Sequence, residues 1–322
     1  MRRETMEKYQ SWFYVAALLA GAAIGLGSEK GGAALGMAVS PVLAVLLYSM
    51  FAQIPFLQVR EAWSNLRFMG ALLTANFVVV PVVVLGLTLL FPQSSPVLIG
   101  VLLVLLTPCI DYVIVFTQLG KGNEKLVLAA TPLLFIAQMV LLPLYLWLFV
   151  GSEAARVMEV GPFVEAFLFL IVIPMVLALL TQLWGKRRKK GEAVLQAAAW
   201  LPVPLMALAL LVVVASQIGK VREDIGVIVG VVPIYVAFAV VMPIVSRFIA
   251  AIFRLDVGSG RAVIFSSATR NSLVVMPLAL ALPQEWATMA AAVIVTQTMV
   301  ELAAELVYIR LVPAWIMRDR LT

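Results

Sequence analysis

The chain has 322 residues, of which 63% are hydrophobic and 12% are charged, and its formal net charge is +6. A soluble domain of this size could not hide so much apolar surface from water, so the composition predicts a protein embedded in a lipid bilayer. The basic residues lie in short clusters between apolar segments, which indicates membrane topology and argues against nucleic-acid binding. With no histidine and one cysteine, an internal disulfide and histidine-based metal or hydrolytic chemistry are excluded. No cofactor is expected.

Ten apolar segments are candidates for membrane spans, each of which needs about 20 residues of α-helix. In chain order they are 11–27, 34–56, 68–90, 96–119, 125–150, 162–184, 194–217, 225–252, 261–282 and 286–316. The first segment is short and needs tilt or interfacial aromatic side chains to anchor it. The sequence therefore predicts an all-α polytopic membrane protein with a single transmembrane domain over residues 1–322.

The connecting loops carry their positive charge mainly on one side of the membrane. If the amino terminus and every second loop share a side, that side receives 18 of the 23 Lys and Arg residues. The opposite side receives four, and Arg270 remains inside the membrane. Loops rich in Lys and Arg stay in the cytoplasm. We therefore expect both termini to be cytoplasmic, in a multi-pass protein of the bacterial inner (plasma) membrane.

The two halves of the chain are predicted to be inverted repeats. A basic run at 186–190 separates five segments from the five that follow, so the second half enters the membrane upside down relative to the first. This is the plan of many secondary carriers, and it assigns 11–150 to the first five-helix repeat and 162–316 to the second. Some residues recur at an offset of 162 positions, such as Pro81 and Pro243.

Two polar interruptions occur at this same offset, inside the fourth and ninth segments. The first is Thr-Pro-Cys-Ile-Asp at 107–111, and the second is Thr-Arg-Asn-Ser at 269–272. Pro108 lacks an amide hydrogen and clashes with the preceding turn, so a helix must kink or unwind there. Helices broken at matching places in two halves are the best sequence indication of a carrier's binding site. We therefore expect the two broken helices to cross at a solute site.

Asp111 and Arg270 place an acid in one break and a base in the other. Charges at membrane depth are costly unless they are paired, so these groups are predicted to lie within about 8 Å of each other. Arg270 cannot lose its charge and is expected to take a counter-charge from Asp111, from Glu301 in the tenth segment, or from an anionic solute. Asp111 is either half of a structural ion pair or a proton carrier. Glu305 lies one turn beyond Glu301 on the same helix face.

Cys109 is the only thiol and follows the helix-breaking proline. Free amides and the dipole at the start of a helix favour a thiolate, which is a soft ligand for a metalloid, although most lone membrane cysteines are packing residues. We expect Cys109 to line a water-accessible cavity. Asn76, Asn271 and Ser272 supply neutral hydrogen-bonding groups, either for a solute or for contacts between helices.

These residues resemble motifs of the superfamily that holds the bile acid:sodium symporters and the arsenite exporters. Asn76, five residues before Pro81, fits the polar residue of the family's third span. Pro108-Cys109 is similar to the exporters' motif, whose cysteine is taken to bind trivalent arsenic, and Asn271-Ser272 matches the symporters' ninth span. The resemblance implies a panel domain of spans 1, 2, 6 and 7 and a core domain of spans 3, 4, 5, 8, 9 and 10. Spans 4 and 9 are unwound where they cross.

The chain departs from the symporters at their sodium site. Their span-nine glutamate, which holds sodium, aligns with Ser266, and the glutamine beside their asparagine aligns with Arg270. Since a fixed cation repels sodium, the resemblance favours an antiporter that exports arsenite or a related trivalent metalloid in exchange for protons. Cys109 would bind the metalloid, Asp111 would carry the proton, and Arg270 would hold Asp111 charged.

The alternative function is an organic-anion carrier, coupled to sodium or protons, in which Arg270 binds a carboxylate or sulfonate. Either carrier has a small solute, a coupling ion and the bilayer as its partners. An enzyme is not expected, because the sequence has no hydrolase elbow or zinc-protease motif.

Overall fold

The computed structural model describes Met6 and residues 9–56, 65–110, 112–157, 164–221 and 225–319. The helices of this part of the chain are α1 (Gln10–Gly27), α2 (Glu29–Phe51), α3 (Leu66–Leu90), α4 (Ser95–Leu105), α5 (Val113–Leu119), α6 (Glu124–Val157), α7 (Val164–Arg187), α8 (Lys189–Ala198), α9 (Pro202–Val221), α10 (Ile225–Ile252), α11 (Val257–Ala268), α12 (Ser272–Leu280) and α13 (Gln284–Leu311). One isolated β-bridge accompanies them.

Six of these helices are long and apolar enough to cross a membrane, and a seventh span arises if α8 and α9, bent by 45°, count as one. The protein is therefore an all-helical polytopic membrane protein. Helix α1 is short, and breaks divide the predicted fourth and ninth segments into α4 and α5 and into α11 and α12. None of these pieces reaches spanning length by itself. The count of ten spans and the inverted repeats remain predictions.

The chain divides into two compact units. One comprises Met1–Ile54, Arg156–Val229 and Leu273–Val295, and the other comprises Pro55–Ala155, Gly230–Ser272 and Thr296–Thr322. The first unit contains α1, α2, α7, α8 and α9, which are the panel helices that the resemblance implies. The stretch Leu273–Val295 also groups with this unit, although the resemblance assigns it to the core.

In the first unit, α9 packs against α1 and α2, and α7 packs against α2 and α8. The amide of Gln182 on α7 closes the carboxyl end of α2. It donates to the carbonyl oxygens of Phe51, Ala52 and Ile54 at 3.3, 3.2 and 2.7 Å. Carbonyl groups at a helix end lack partners within the helix. The buried Gln182 side chain therefore supplies the hydrogen bonds that water would otherwise donate to them.

In the second unit, α11 packs against α3 and α5. Helix α3 contains a π-helical turn at Ala75–Val79, just before Pro81. Proline cannot donate to the carbonyl of Phe77, four residues earlier. Tyr145 of α6 donates its hydroxyl to that carbonyl at 2.6 Å instead. The π turn, a feature frequently found at functional sites, is thus supported by a neighbouring helix.

Asp256 caps the amino terminus of α11, in the turn that follows α10. Its carboxylate accepts hydrogen bonds from the amide of Ser259 at 3.0 Å and from the Ser259 hydroxyl at 2.5 Å. Partial burial by itself would raise the pKa of Asp256, but these donors outweigh that effect and hold the pKa below its ordinary value. The charged carboxylate therefore stabilises the start of α11.

Candidate functional site

Both helices that carry a polar interruption are broken in the structure. Helix α4 ends at Leu105 and α5 begins at Val113, while α11 ends at Ala268 and α12 begins at Ser272. Pro108 lies in the first break, as the sequence predicts. Unwound backbone at membrane depth must find other hydrogen-bond partners.

The two breaks supply those partners to each other. Pro108 and Arg270, which are related by the 162-residue offset, face each other in an antiparallel β-bridge. Two main-chain hydrogen bonds flank the bridge: the Cys109 amide to the Thr269 carbonyl at 3.1 Å, and the Asn271 amide to the Thr107 carbonyl at 2.8 Å. The strand-like pairing satisfies amides and carbonyls that the missing helical turns would have joined.

The Arg270 side chain is fully buried and its guanidinium is surrounded by oxygen atoms. Nη2 donates to the side-chain oxygen of Asn76 at 2.7 Å and to the carbonyls of Ser266 and Ser267 at 2.8 and 2.7 Å. Nη1 donates to the carbonyl of Leu105 at 3.4 Å. We call these four oxygen atoms the oxygen cage.

Three of the cage oxygens lie at the carboxyl ends of broken helices. Leu105 is the last residue of α4, and Ser266 and Ser267 lie in the last turn of α11. A helix carboxyl terminus carries roughly half a negative charge, so two such ends offset much of the positive charge of Arg270. These helix ends supply negative charge that the sequence did not predict, beside the counter-charge expected from Asp111, Glu301 or a solute. Among the described residues, no carboxylate lies within ion-pair distance of the guanidinium.

Asp111 lies outside the described residues, so its pairing with Arg270 stays a prediction. Asn76 is placed by the π turn of α3 and uses both ends of its amide. Its oxygen belongs to the oxygen cage, while its nitrogen donates to the Leu72 carbonyl at 3.0 Å and to the Ser266 hydroxyl at 3.3 Å. Asn76 is thus a positioning residue for the Arg270 guanidinium.

Glu301 meets Arg270 at the main chain and not at the guanidinium. Its carboxylate accepts the Arg270 amide at 2.7 Å, the Gln297 amide nitrogen at 2.6 Å and the Tyr112 hydroxyl at 2.5 Å. Three donors to one buried carboxylate stabilise its charged form. Gln297 and Tyr112 were not predicted. Gln297 precedes Glu301 by four residues, a spacing that places both on one helix face and could have indicated Gln297. For Tyr112, the only sequence signal is its position beside the first break.

The remaining predicted residues lie in the same region. The Ser272 hydroxyl accepts from the Thr298 hydroxyl at 2.8 Å.

Cys109 is completely buried, so the water-accessible thiol that we expected is not present in this conformation. The main-chain bridge closes the break around it. The described residues include no group of three or more Cys, Asp or Glu side chains that could hold a metal ion. A cavity of about 10 Å³, lined in part by Glu301, Gln297 and Tyr308, has room for about one water molecule.

Comparison with known proteins agrees with the sequence motifs at the level of the family. The sequence pattern of the Sodium Bile acid symporter family matches residues 40–224, which is more than half of the chain. The chain belongs to this family. Members of the sodium bile acid symporter family are transporters rather than enzymes, so the chain is a transporter-type membrane protein. The matched residues include the first break, but not Arg270 or α13.

A search of the curated proteins finds no match to this family member.

Proposed function

We propose that this protein is a secondary active transporter that works without sodium and exports arsenite, or a related trivalent metalloid, in exchange for protons. The proposal includes ten membrane spans in two inverted repeats, 11–150 and 162–316, in the bacterial inner (plasma) membrane with both termini in the cytoplasm. The solute binds where the broken helices cross, with Cys109, Asp111 and Arg270 as the principal groups and Asn76, Asn271 and Ser272 beside them.

The occupied oxygen cage around Arg270 is the observation that carries this proposal. Carbonyl groups at unwound helix ends are the groups with which carriers bind coupling cations. In this chain the guanidinium already lies among them, donating at 2.7 to 3.4 Å. Its charge is permanent, and a second cation at the same place would be repelled strongly in a low-dielectric interior. A proton is then the coupling ion, carried by Asp111 with Glu301 and Arg270 as coupling groups.

The position of Cys109 supports a soft solute. Its amide donates to the carbonyl of Thr269, the residue before Arg270, in the main-chain bridge. A conformation that exposes the thiol during transport must break the two main-chain hydrogen bonds of the bridge, each worth about 1 kcal/mol net. One thiolate binds a metalloid more weakly than a cage of three thiolates, which suits a carrier that must release its load.

The test is growth of an arsenite-sensitive host that expresses the chain, together with its accumulation of arsenic. We expect resistance and low accumulation with the wild type, and loss of both with Cys109→Ser. Cys109→Ala is the matched second variant, because alanine keeps the small apolar packing of a buried cysteine and removes only the thiol. Full resistance in both variants would contradict the metalloid assignment.

The match to the sodium bile acid symporter family favours a second candidate, an organic-anion carrier coupled to sodium or protons. In that function Arg270 binds a carboxylate or sulfonate and Cys109 is incidental. Uptake of taurocholate by membrane vesicles separates the candidates. Transport that is retained in Cys109→Ser and lost in Arg270→Gln supports the organic-anion carrier.

A further inference from the structure

A second carboxyl group lies deep in the protein, one turn beyond Glu301. Glu305 of α13 is completely buried, and its Oε1 atom lies 2.5 Å from the Thr269 hydroxyl. Among the described residues, its Oε2 atom has no hydrogen-bond partner, and no Lys or Arg lies within ion-pair distance of the carboxyl group. An ionised carboxylate in this setting would be strongly disfavoured, because its desolvation is not compensated.

The hydrogen bonds around Thr269 allow a proton on Glu305. The Thr269 hydroxyl has one hydrogen but contacts two acceptors, the Phe265 carbonyl at 2.7 Å and Glu305 Oε1 at 2.5 Å. A carbonyl oxygen cannot donate. If the hydroxyl donates to Phe265, the second contact becomes a hydrogen bond only when Glu305 donates its own proton.

The titratable groups that face Glu305 do not compensate a negative charge there. Glu301, on the same helix, accepts three hydrogen bonds, and its ionised form would oppose a second negative charge nearby. Tyr308 donates its hydroxyl to the Ala239 carbonyl of α10. Helix α10 contributes Tyr235 to the cavity that Glu301 and Tyr308 also line, and α11 contributes the neutral Thr269. The surroundings of the two glutamates therefore compensate a negative charge to different extents.

We propose that Glu305 is a proton-binding site of this transporter, protonated while the bridge between the two breaks is closed. Thr269 links the two features, since its carbonyl accepts the Cys109 amide in the bridge and its hydroxyl contacts Glu305. When the bridge opens, Thr269 moves, and Glu305 passes its proton to water on the open side. The role in coupling rests on the proton-driven function proposed above, whereas the bound proton does not.

Infrared difference spectroscopy of the purified protein measures the bound proton directly and needs no solute. We expect the wild type to show the carbonyl-stretch band of a buried protonated carboxylic acid at neutral pH, and Glu305→Gln to lose it. Glu165→Gln, which changes an exposed glutamate of α7, should retain the band. If Glu305→Gln fails to fold, Glu305→Asp should shift the band, since the acid remains in an altered environment. Absence of the band in the wild type, or an unchanged band in the Glu305 variant that folds, overturns the proposal.

Transport in vesicles then tests the role in coupling, with arsenite as the probe. Glutamine mimics the protonated acid, so Glu305→Gln should retain arsenite exchange. The arsenite accumulation that a pH gradient drives should fall at least tenfold. Accumulation at the wild-type level would refute a coupling role for Glu305. If the infrared band depends on Glu305 but the wild type moves no arsenite with protons, the proton site stands and the proposed function fails.

Discussion

The guanidinium of Arg270 donates a 2.7 Å hydrogen bond to the side-chain oxygen of Asn76, and this contact joins the π turn of α3 to the second helix break. Both side chains are fully buried. The arginine also draws the carboxyl ends of α4 and α11 together, through the carbonyls of Leu105, Ser266 and Ser267. A single cation thus organises three helices of the second unit.

Arg270→Gln is expected to lower the free energy of unfolding by about 3–5 kcal/mol, the cost of removing one partner from a buried charged network. The carbonyls of the oxygen cage would lose the charged donor that satisfies them. Thermal unfolding in detergent measures the effect. Arg247→Gln is the matched control, because Arg247 is exposed on α10 and its replacement should change stability by less than about 0.5 kcal/mol. Equal stability of the two variants would show that the oxygen cage does not need its cation.

Transport is expected to be independent of sodium, because we propose that Arg270 holds the place of a coupling cation. Vesicle transport of arsenite should be unchanged when choline replaces sodium and should collapse when a protonophore is added. The sodium-replaced sample without protonophore is the control for intact vesicles. Strict dependence on sodium would mean that the cation site lies elsewhere, for example at Glu301.

Gly120→Ala is expected to destabilise the protein by about 1–3 kcal/mol, as overpacking of a core does. Gly120 follows α5, and a Cβ atom there would overlap the ring of Phe265 on α11, which is fully buried. Gly86→Ala is the matched control, because a Cβ atom at this position on α3 meets no neighbour. That variant should be more stable by about 0.5–1 kcal/mol, since alanine favours a helix. Similar melting temperatures for both variants would contradict the close contact.

The stability of the second unit is expected to depend on the charge of Asp256. Since the folded-state pKa of Asp256 is lowered, its contribution is present above the unfolded-state pKa of about 3.9 and is lost as pH falls through the folded value. Asp256→Asn keeps a capping side chain without the charge. Thermal unfolding between pH 7 and pH 3 should show the wild type more stable at pH 7 and the two proteins converging as the pH falls. A constant difference in stability between the wild type and Asp256→Asn across this range would show that the charge of the carboxylate is not the cause. Asp256→Ala should lower the free energy of unfolding by about 0.5–2 kcal/mol through loss of the cap.

The sequence by itself determined the class of protein, the positions of most helices and the places where two of them break. Long apolar segments form helices in a bilayer because all their backbone hydrogen bonds are then internal, so the predicted segment 225–252 coincides with α10. Pro108 and the polar residues around it mark the first break by local chemistry. The resemblance is confirmed at the level of the family by the match over 40–224, which contains Asn76 and Pro108-Cys109 but not Asn271-Ser272.

Only the tertiary structure decided what surrounds the charges. A sequence shows which side chains are charged, but not where helix ends direct their carbonyl groups. The sequence therefore indicated carboxylate partners for Arg270, while the folded chain supplies two helix carboxyl termini and Asn76. Glu301 similarly takes up the main-chain amide that the break leaves free, and Cys109 is buried because the two breaks pair with each other. The contacts of Arg270 with Leu105 and Asn76, and those of the bridge, join residues more than 150 positions apart in the chain, so no local sequence pattern could have specified them.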